Sequence, residues 1–193
     1  MENTPGLAQA GIGQYDVKAS PLQMALVAAA IANDGIIMKP YVTQSVHSTT
    51  GEMIEQIMPS VWKSALPSQI ARSLKVAMKD IVENGTARRM MVSESAIGGK
   101  TGTAQKSVAG GYSRKKINSF VSVFPTSKPK FVLAIMLEEP KTNEDYIYHY
   151  RDGSNIKYKG TPFNTAGWTT VEVTSQIVER IGPILATKYS EIN

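Results

Sequence analysis

Apolar residues in this chain come in blocks that switch between helical and strand spacing. Ser20-Pro21-Leu22-Gln23 opens the first block: Ser20 suits an N-cap, Pro21 suits the first helical position, Gln23 completes a capping box, and Gly35 supplies the stop. Between them Leu22, Ala25, Leu26, Ala29 and Ala30 form a narrow face of small side chains, which predicts close packing against another helix. Val42 to Val46 and Met53 to Ile57, joined through Thr49-Thr50-Gly51-Glu52, predict a β-hairpin. A second helix follows Pro67-Ser68, with Ile70, Leu74, Ala77, Met78 and Ile81 along one stripe, and ends at Asn84-Gly85.

Three strand-like segments then follow in series: Ala96 to Lys106, Ile117 to Phe124, and Lys130 to Leu137. They predict an antiparallel meander. Phe131 to Leu137 is uninterrupted apolar sequence, so helices are expected on both sides of the sheet. If that strand lacks an upstream partner, it exposes an edge that invites dimerisation or strand exchange. Residues 140–166 form a connection long enough to wall a site, with plain surface loop as the alternative. From Thr170 onward Val173, Ile177, Ile181, Ile184 and Leu185 define a closing helix, with Pro183 a kink or break near its end. The fold class is therefore α+β, an antiparallel sheet sandwiched by helices. Residues 1–193 read as a single unit, since neither a repeat nor a low-complexity linker divides them.

Composition narrows the function classes. With 193 residues, 42% of them hydrophobic and 19% charged, the chain has the make-up of a globular domain with a sizeable core. Its net charge of +5 is densest at Arg88-Arg89 and Arg114-Lys115-Lys116, and no aromatic is interleaved with either cluster, so nucleic-acid binding is not supported. There is no cysteine for a disulfide framework, and His47 and His149 lie far apart, which disfavours a zinc site; neither metal nor cofactor is expected. The longest mainly apolar run, Met24 to Ala32, is too short to span a bilayer, and no signal peptide precedes it, so the chain as given reads as soluble.

The chemistry concentrates in Gly99-Lys100-Thr101-Gly102-Thr103. Glycines let the backbone approach a ligand closely. Lys100 supplies a point charge with donors, and Thr101 and Thr103 on an extended strand point to one face and can both donate to a carboxylate. The plain alternative is a turn carrying a solvated lysine. A phosphate-binding loop matches only the last positions of its pattern, because Glu94 stands where the first glycine is required and the following residues are poor helix material.

Several segments, in order, carry a resemblance. Ser20-Pro21-Leu22-Gln23 through Asn33-Asp34-Gly35, then Lys39-Pro40, Gly85-Thr86-Ala87, and Gly99 to Ala104 resemble successive segments of the class B penicillin-binding protein transpeptidases of the division or elongation type. K-T-G is among the signatures of penicillin-binding proteins and serine β-lactamases. Phe120 to Pro125, Glu139-Pro140 and Thr165-Ala166-Gly167-Trp168 resemble later strands and a late loop of the division-type members, so the likeness runs from about residue 10 to 188.

The resemblance implies a peptidoglycan D,D-transpeptidase that cross-links stem peptides through a serine acyl-enzyme, the same serine being acylated by β-lactam antibiotics. It implies that Lys100 steers the donor carboxylate, that Thr101 and Thr103 hydrogen-bond it, that Gly102 lies in the substrate-binding strand, and that the Thr103 backbone N–H is an oxyanion donor. It also implies a parent anchored in the bacterial inner membrane with this domain on the extracytoplasmic side, and divisome or elongation-complex partners.

The chain departs from the family pattern upstream of K-T-G. S-x-x-K occurs, among other places, at Ser60-Val61-Trp62-Lys63, Ser113-Arg114-Lys115-Lys116 and Ser154-Asn155-Ile156-Lys157. The last two follow the K-T-G motif, and Ser60 reads as part of a loop before a helix. No S-x-N triplet occurs. A serine without its adjacent base does not form an acyl-enzyme. The expectation is a C-terminal portion of a transpeptidase domain, incomplete at its N-terminal side and inactive alone, that pairs with the upstream part of the same protein. A non-catalytic peptide-carboxylate-binding module is the alternative, and a basic nucleic-acid-binding protein ranks third.

Overall fold

The computed structural model describes residues 4–15, 17–88, 90, 97–108, 111–141, 145, 147–149, 155–157 and 164–190. Arg89, Glu94, Ala96, Gly110 and Ser154 lie outside them, as does most of the 140–166 connection.

Helix α1 (Thr4–Gly11), which the spacing of apolar residues does not announce, precedes α2 (Pro21–Ala32). The capping box at α2 forms as expected: the Gln23 N–H donates to Ser20 Oγ at 3.2 Å, and the Ser20 N–H donates to Gln23 Oε1 at 2.8 Å. Strand β1 (Ile36–Met38) follows the Gly35 turn, where φ is +95° and a Cβ would collide with the Leu66 carbonyl. The predicted hairpin is β2 (Ser45–His47) with β3 (Met53–Gln56), its first strand starting later than the residue pattern suggests. β4 (Val61–Ser64) returns to pair with β1, so Ser60 leads into a strand and not directly into a helix. Helix α3 (Ser68–Glu83) ends at Asn84 as expected.

β5 (Gly98–Val108), β6 (Gly111–Phe124) and β7 (Phe131–Glu138) form the expected antiparallel meander in the order β5-β6-β7. β6 begins several residues before Ile117, because the basic stretch Arg114-Lys115-Lys116 is strand. Short strands β8 (Ile147–His149) and β9 (Asn155–Lys157) pair within the long connection. A 3-10 turn (Ala166–Trp168) leads into α4 (Thr170–Ser190), which runs through Pro183 without ending there.

The sheet has a core on each face, as period-2 alternation requires. On one, Phe120, Phe124 and Ile97 pack with Val171 and Val178 of α4 and Val82 of α3. On the other, Val121 and Val123 pack with Ala28 of α2 and Met78 of α3, with Val132 and Ala134 of β7 alongside. Helix faces match the predicted stripes in part. In α2 Ala30 is buried as expected, and Ala28, Ile31 and Ala32 also face the core, while Leu22 is exposed. In α3 Ala71, Met78 and Val82 are buried, and Ile70 and Leu74 are exposed. In α4 the inward face is Val171, Thr174, Ser175 and Val178, and Val173 and Ile184 are exposed. Threonine serves in that interior because its hydroxyl donates back along the helix: Thr174 Oγ1 bonds the Thr170 carbonyl at 2.7 Å, and Thr170 Oγ1 bonds the Ala166 carbonyl at 3.2 Å.

Candidate functional site

β5 is an outer strand of its sheet, and its register sorts the motif between two faces. Thr101 and Thr103 lie opposite Phe120 and Asn118, on the α4 side; Lys100 and Gly102 lie opposite Val121 and Ser119, on the α2 side.

The two threonines are held by polypeptide on either side of them in sequence. Thr101 Oγ1 is 2.8 Å from Thr86 Oγ1, in the turn after α3. Thr103 Oγ1 accepts the Ala166 N–H at 3.0 Å. That bond occupies one lone pair and leaves the Thr103 proton available to donate. The turn that supplies it is fastened by Asn118, fully buried on β6, whose Nδ2 donates to Thr169 Oγ1 at 2.8 Å and Asn164 Oδ1 at 3.1 Å. Lys116 Nζ adds a bond to the Asn164 carbonyl at 3.0 Å. Asn118 and Thr86 were absent from the predicted site residues. The signal for Asn118 was present in the sequence: an amide at the same alternation phase as Phe120 on an apolar strand needs buried partners.

Lys100 is exposed and folds onto its own strand, donating from Nζ to the Thr101 carbonyl at 2.6 Å. The glycines divide in purpose. A Cβ at Gly99 would sit 2.7 Å from Phe120 Cε2 and 2.9 Å from the Val121 carbonyl, so this glycine makes room for the core. A Cβ at Gly102 would meet only Ser119, with Oγ at 2.5 Å, and Gly102 lines a cleft of about 500 Å³. That cleft lies between the sheet and the segment leading into α2, bordered by Thr103, Ser119, Ala134, Met136, Lys18 and Met24. A second cleft, of about 540 Å³, lies by Leu26, Ala29, Tyr41 and Val132 and includes no residue of β5.

Beyond the motif, Lys106 joins β5 to the end of β7, bonding Glu138 and, at 2.6 Å, Glu139; Lys115 reaches Glu139 Oε2 at 3.0 Å. Hydrogen bonds donated to Glu138 and then Glu139 push the Lys106 pKa up, and Lys106 followed by Lys115 holds the Glu139 carboxyl below its ordinary value. Part of the basic cluster at 114–116 is thus engaged within the fold.

The serine candidates do not converge on Lys100. Ser60 and Lys63 flank the start of β4, a different sheet, and extended backbone sends positions three apart to opposite faces, whereas a helix would stack them. Ser113 and Lys116 both lie on β6 with the same fault, a further match at Ser127-Lys128-Pro129-Lys130 lies in the turn between β6 and β7, and Ser154 lies outside the described residues. Among the described residues no group of His, Asp and Glu side chains is arranged to hold a metal ion.

An α+β domain with a helix-flanked antiparallel sheet and a lysine-threonine edge strand is the class that fold and site define. Residues 3–155 match the model of the penicillin-binding protein transpeptidase domain, and the chain belongs to that family. It is 32% identical over 138 residues to the peptidoglycan D,D-transpeptidase PbpA of Mycolicibacterium smegmatis, covering 69% of this chain and 27% of that protein. It is 26% identical over 183 residues to the probable peptidoglycan D,D-transpeptidase FtsI of Caulobacter vibrioides, covering 90% and 27%. Penicillin-binding protein A of Mycobacterium tuberculosis shares the fold: its ceftriaxone acyl-enzyme complex superposes with a TM-score of 0.73 at 23% identity, covering 92% of this chain and 36% of that one. The chain spans 20% to 27% of the length of the first curated relatives it matches. Among the described residues no helix is long and apolar enough to cross a membrane.

Proposed function

We propose that this chain is the carboxylate-binding, C-terminal portion of a peptidoglycan D,D-transpeptidase domain, and that the nucleophilic serine comes from polypeptide upstream of it. The observation that carries the reading is the Thr103 hydroxyl, whose oxygen takes the Ala166 N–H while its proton stays free for an acceptor. A stem-peptide carboxylate lying along β5 would take that proton and a second from Thr101. Lys100 would release the Thr101 carbonyl and swing toward the anion, where a charge-assisted bond contributes about 1.5–3 kcal/mol. The Thr103 N–H would serve the developing oxyanion once a serine attacked the adjacent carbonyl; a donor of that kind is commonly worth about 10²–10³ in rate.

On this reading the parent is an anchored cell-wall enzyme whose domain lies outside the cytoplasm. Its stem-peptide substrates, its β-lactam inhibitors and its division- or elongation-complex partners follow from the family. On this reading the chain alone does not turn over: Ser60 and Ser113, the S-x-x-K serines whose strands are described, do not stand beside a base near Lys100.

The test has two arms. Intact-mass measurement after incubation with benzylpenicillin is expected to show the unmodified chain; a stoichiometric adduct would overturn the missing nucleophile. Titration with N-acetyl-D-alanyl-D-alanine, followed by amide NMR shifts, is expected to move Gly102 and Thr103 and to be abolished by Lys100→Ala. Shifts that spare β5 would remove the carboxylate assignment.

A further inference from the structure

We propose that Asn118 and Thr169 are positioning residues for the Thr103 hydroxyl: together they aim the Ala166 N–H at its oxygen, so that Thr103 meets a ligand as a hydrogen-bond donor. The inference rests on the proposed function in taking Thr103 as a donor to a carboxylate.

The direction of each bond follows from the protons available. Thr169 Oγ1 carries one proton and gives it to the Thr165 carbonyl at 2.9 Å. Toward Asn118 it can therefore only accept, which sets the Asn118 amide with Nδ2 facing Thr169 at 2.8 Å. The second Nδ2 proton goes to Asn164 Oδ1 at 3.1 Å. Asn118 Oδ1 has no hydrogen-bond partner among the described residues. Phe120 and Phe124 show that this face of β6 takes apolar side chains. A buried amide is the costlier choice there, and both of its described bonds go to the 164–169 turn.

The Thr165 carbonyl and the Ala166 N–H are the two ends of one planar trans peptide and point in opposite directions. Fixing the carbonyl therefore aims the N–H. The Trp168 N–H also bonds that carbonyl, at 3.0 Å, but it belongs to the turn and moves with it. The bond through Thr169 ties the peptide to Asn118 on β6, which lies opposite Thr103 in the register. From Asn118 Nδ2, through Thr169 Oγ1 and the Thr165–Ala166 peptide, to Thr103 Oγ1, each group donates to the next. Hydrogen bonds that run in one direction polarise one another, which strengthens the Thr103 proton as the last donor. A hydroxyl released from Ala166 could instead turn its oxygen toward an N–H, so the relay favours a carboxylate over a carboxamide.

Amide exchange in the full chain without ligand reads the aim of the peptide directly. Ala166 is expected to exchange at least about tenfold faster in Thr169→Val and in Asn118→Ala than in the native chain, and Thr169→Ser is expected to keep the native rate. N-acetyl-D-alanyl-D-alanine and its C-terminal carboxamide read the consequence. The native preference for the acid is expected to fall about tenfold in Thr169→Val and to return in Thr169→Ser, whereas general damage would weaken both peptides alike.

Unchanged Ala166 exchange in a folded Thr169→Val overturns the proposal, as does an equal loss of both peptides. Ala166 exchange at the free-peptide rate in the native chain also overturns it, and that result needs no variant to fold. If the native chain binds neither peptide, the carboxylate reading falls, while the Ala166 rates still decide whether Asn118 and Thr169 hold the peptide in place.

Discussion

The two outer strands of the three-stranded sheet are opposites. β5 alternates glycine, lysine and hydroxyls along its length, and its open edge is polar. β7 is apolar from Phe131 to Leu137 and only partly buried. An edge strand can be kept from wrong pairing by charge and by loss of side-chain adhesion, and β5 has both. The same features leave its backbone and hydroxyls available to an anion. β7 has neither, so it behaves as an interior strand standing at a margin. On the proposed function, the polar margin at β5 is the one that takes the ligand.

β5 contributes little apolar surface of its own, so its position rests on what lies beneath it. Phe120 is fully buried opposite Thr101 and fills the space that Gly99 leaves. Phe120→Ala is expected to cost about 3–5 kcal/mol in urea unfolding. Met136→Ala on β7, where the side chain is 47% exposed, is expected to cost under about 1 kcal/mol. A large loss at Met136 would mean that β7 is better covered than the described residues show, and it would erase the contrast.

Gly99→Ala tests the same support from the other side. Its new methyl meets the Phe120 ring and the Val121 carbonyl, so overpacking of about 1–3 kcal/mol is expected. Gly102→Ala meets only the rotatable Ser119 hydroxyl and is expected to cost less. Combined with Phe120→Ala, the part of the Gly99→Ala penalty due to the ring should vanish while the contact with the Val121 carbonyl remains, a non-additivity that a double-mutant cycle reads directly. Equal penalties at the two glycines would show that both serve the same purpose.

What the sequence disclosed follows the same division. Elements with strong local signals were legible: the Ser20 capping box, the stop at Asn84, and the three sheet strands. The faces of the helices were legible only in part, at Ala30, Met78 and Leu185. Counting apolar residues chose Val173, Ile177 and Ile184 in α4, but the interior takes Thr174 and Ser175, and the Thr174 hydroxyl is satisfied by the carbonyl one turn back. β1 and β4 were missed because three or four residues carry too little periodicity to separate from loop. At the candidate site the lysine and threonines could be named from the motif. Asn118 showed only through its alternation phase outside the motif, and the Ala166 N–H could not be named, since a backbone donor more than sixty residues away has no sequence signature. Gly99 has a role that the motif does not announce, room for the phenylalanine behind it.

Thr103 carries the ligand side of the contrast. Thr103→Val keeps the shape but leaves the part-buried Ala166 N–H without an acceptor, an expected cost of about 1–3 kcal/mol by thermal or urea unfolding. Thr103→Ser restores the acceptor and is expected to fall within about 0.5 kcal/mol of the native chain. If Thr103→Val is as stable as Thr103→Ser, the Ala166 bond does not organise the hydroxyl, and β5 loses the feature that marks it as a donor strand.

The smallest expected effect lies where the two strands are joined. Lys106 of β5 holds Glu138 and Glu139 at the end of β7, and Lys115 adds to Glu139. Glu139 has a folded pKa below its unfolded value, so its contribution is present above the ordinary glutamate pKa of about 4.3 and fades as pH falls through the lower folded value. Lys106 has a raised folded pKa, so its contribution is complete below the ordinary lysine pKa of about 10.4 and fades as pH rises through the higher folded value. Between those limits stability is expected to be flat in pH as far as this cluster is concerned. Glu139→Gln is expected to flatten the acid limb of a Tm-against-pH curve while leaving carboxylate binding at Lys100 unchanged. The cluster is solvent-facing, so added salt should shrink the difference between native and variant; an effect that survives 1 M salt would show that the tie between the two margins is packing and not charge.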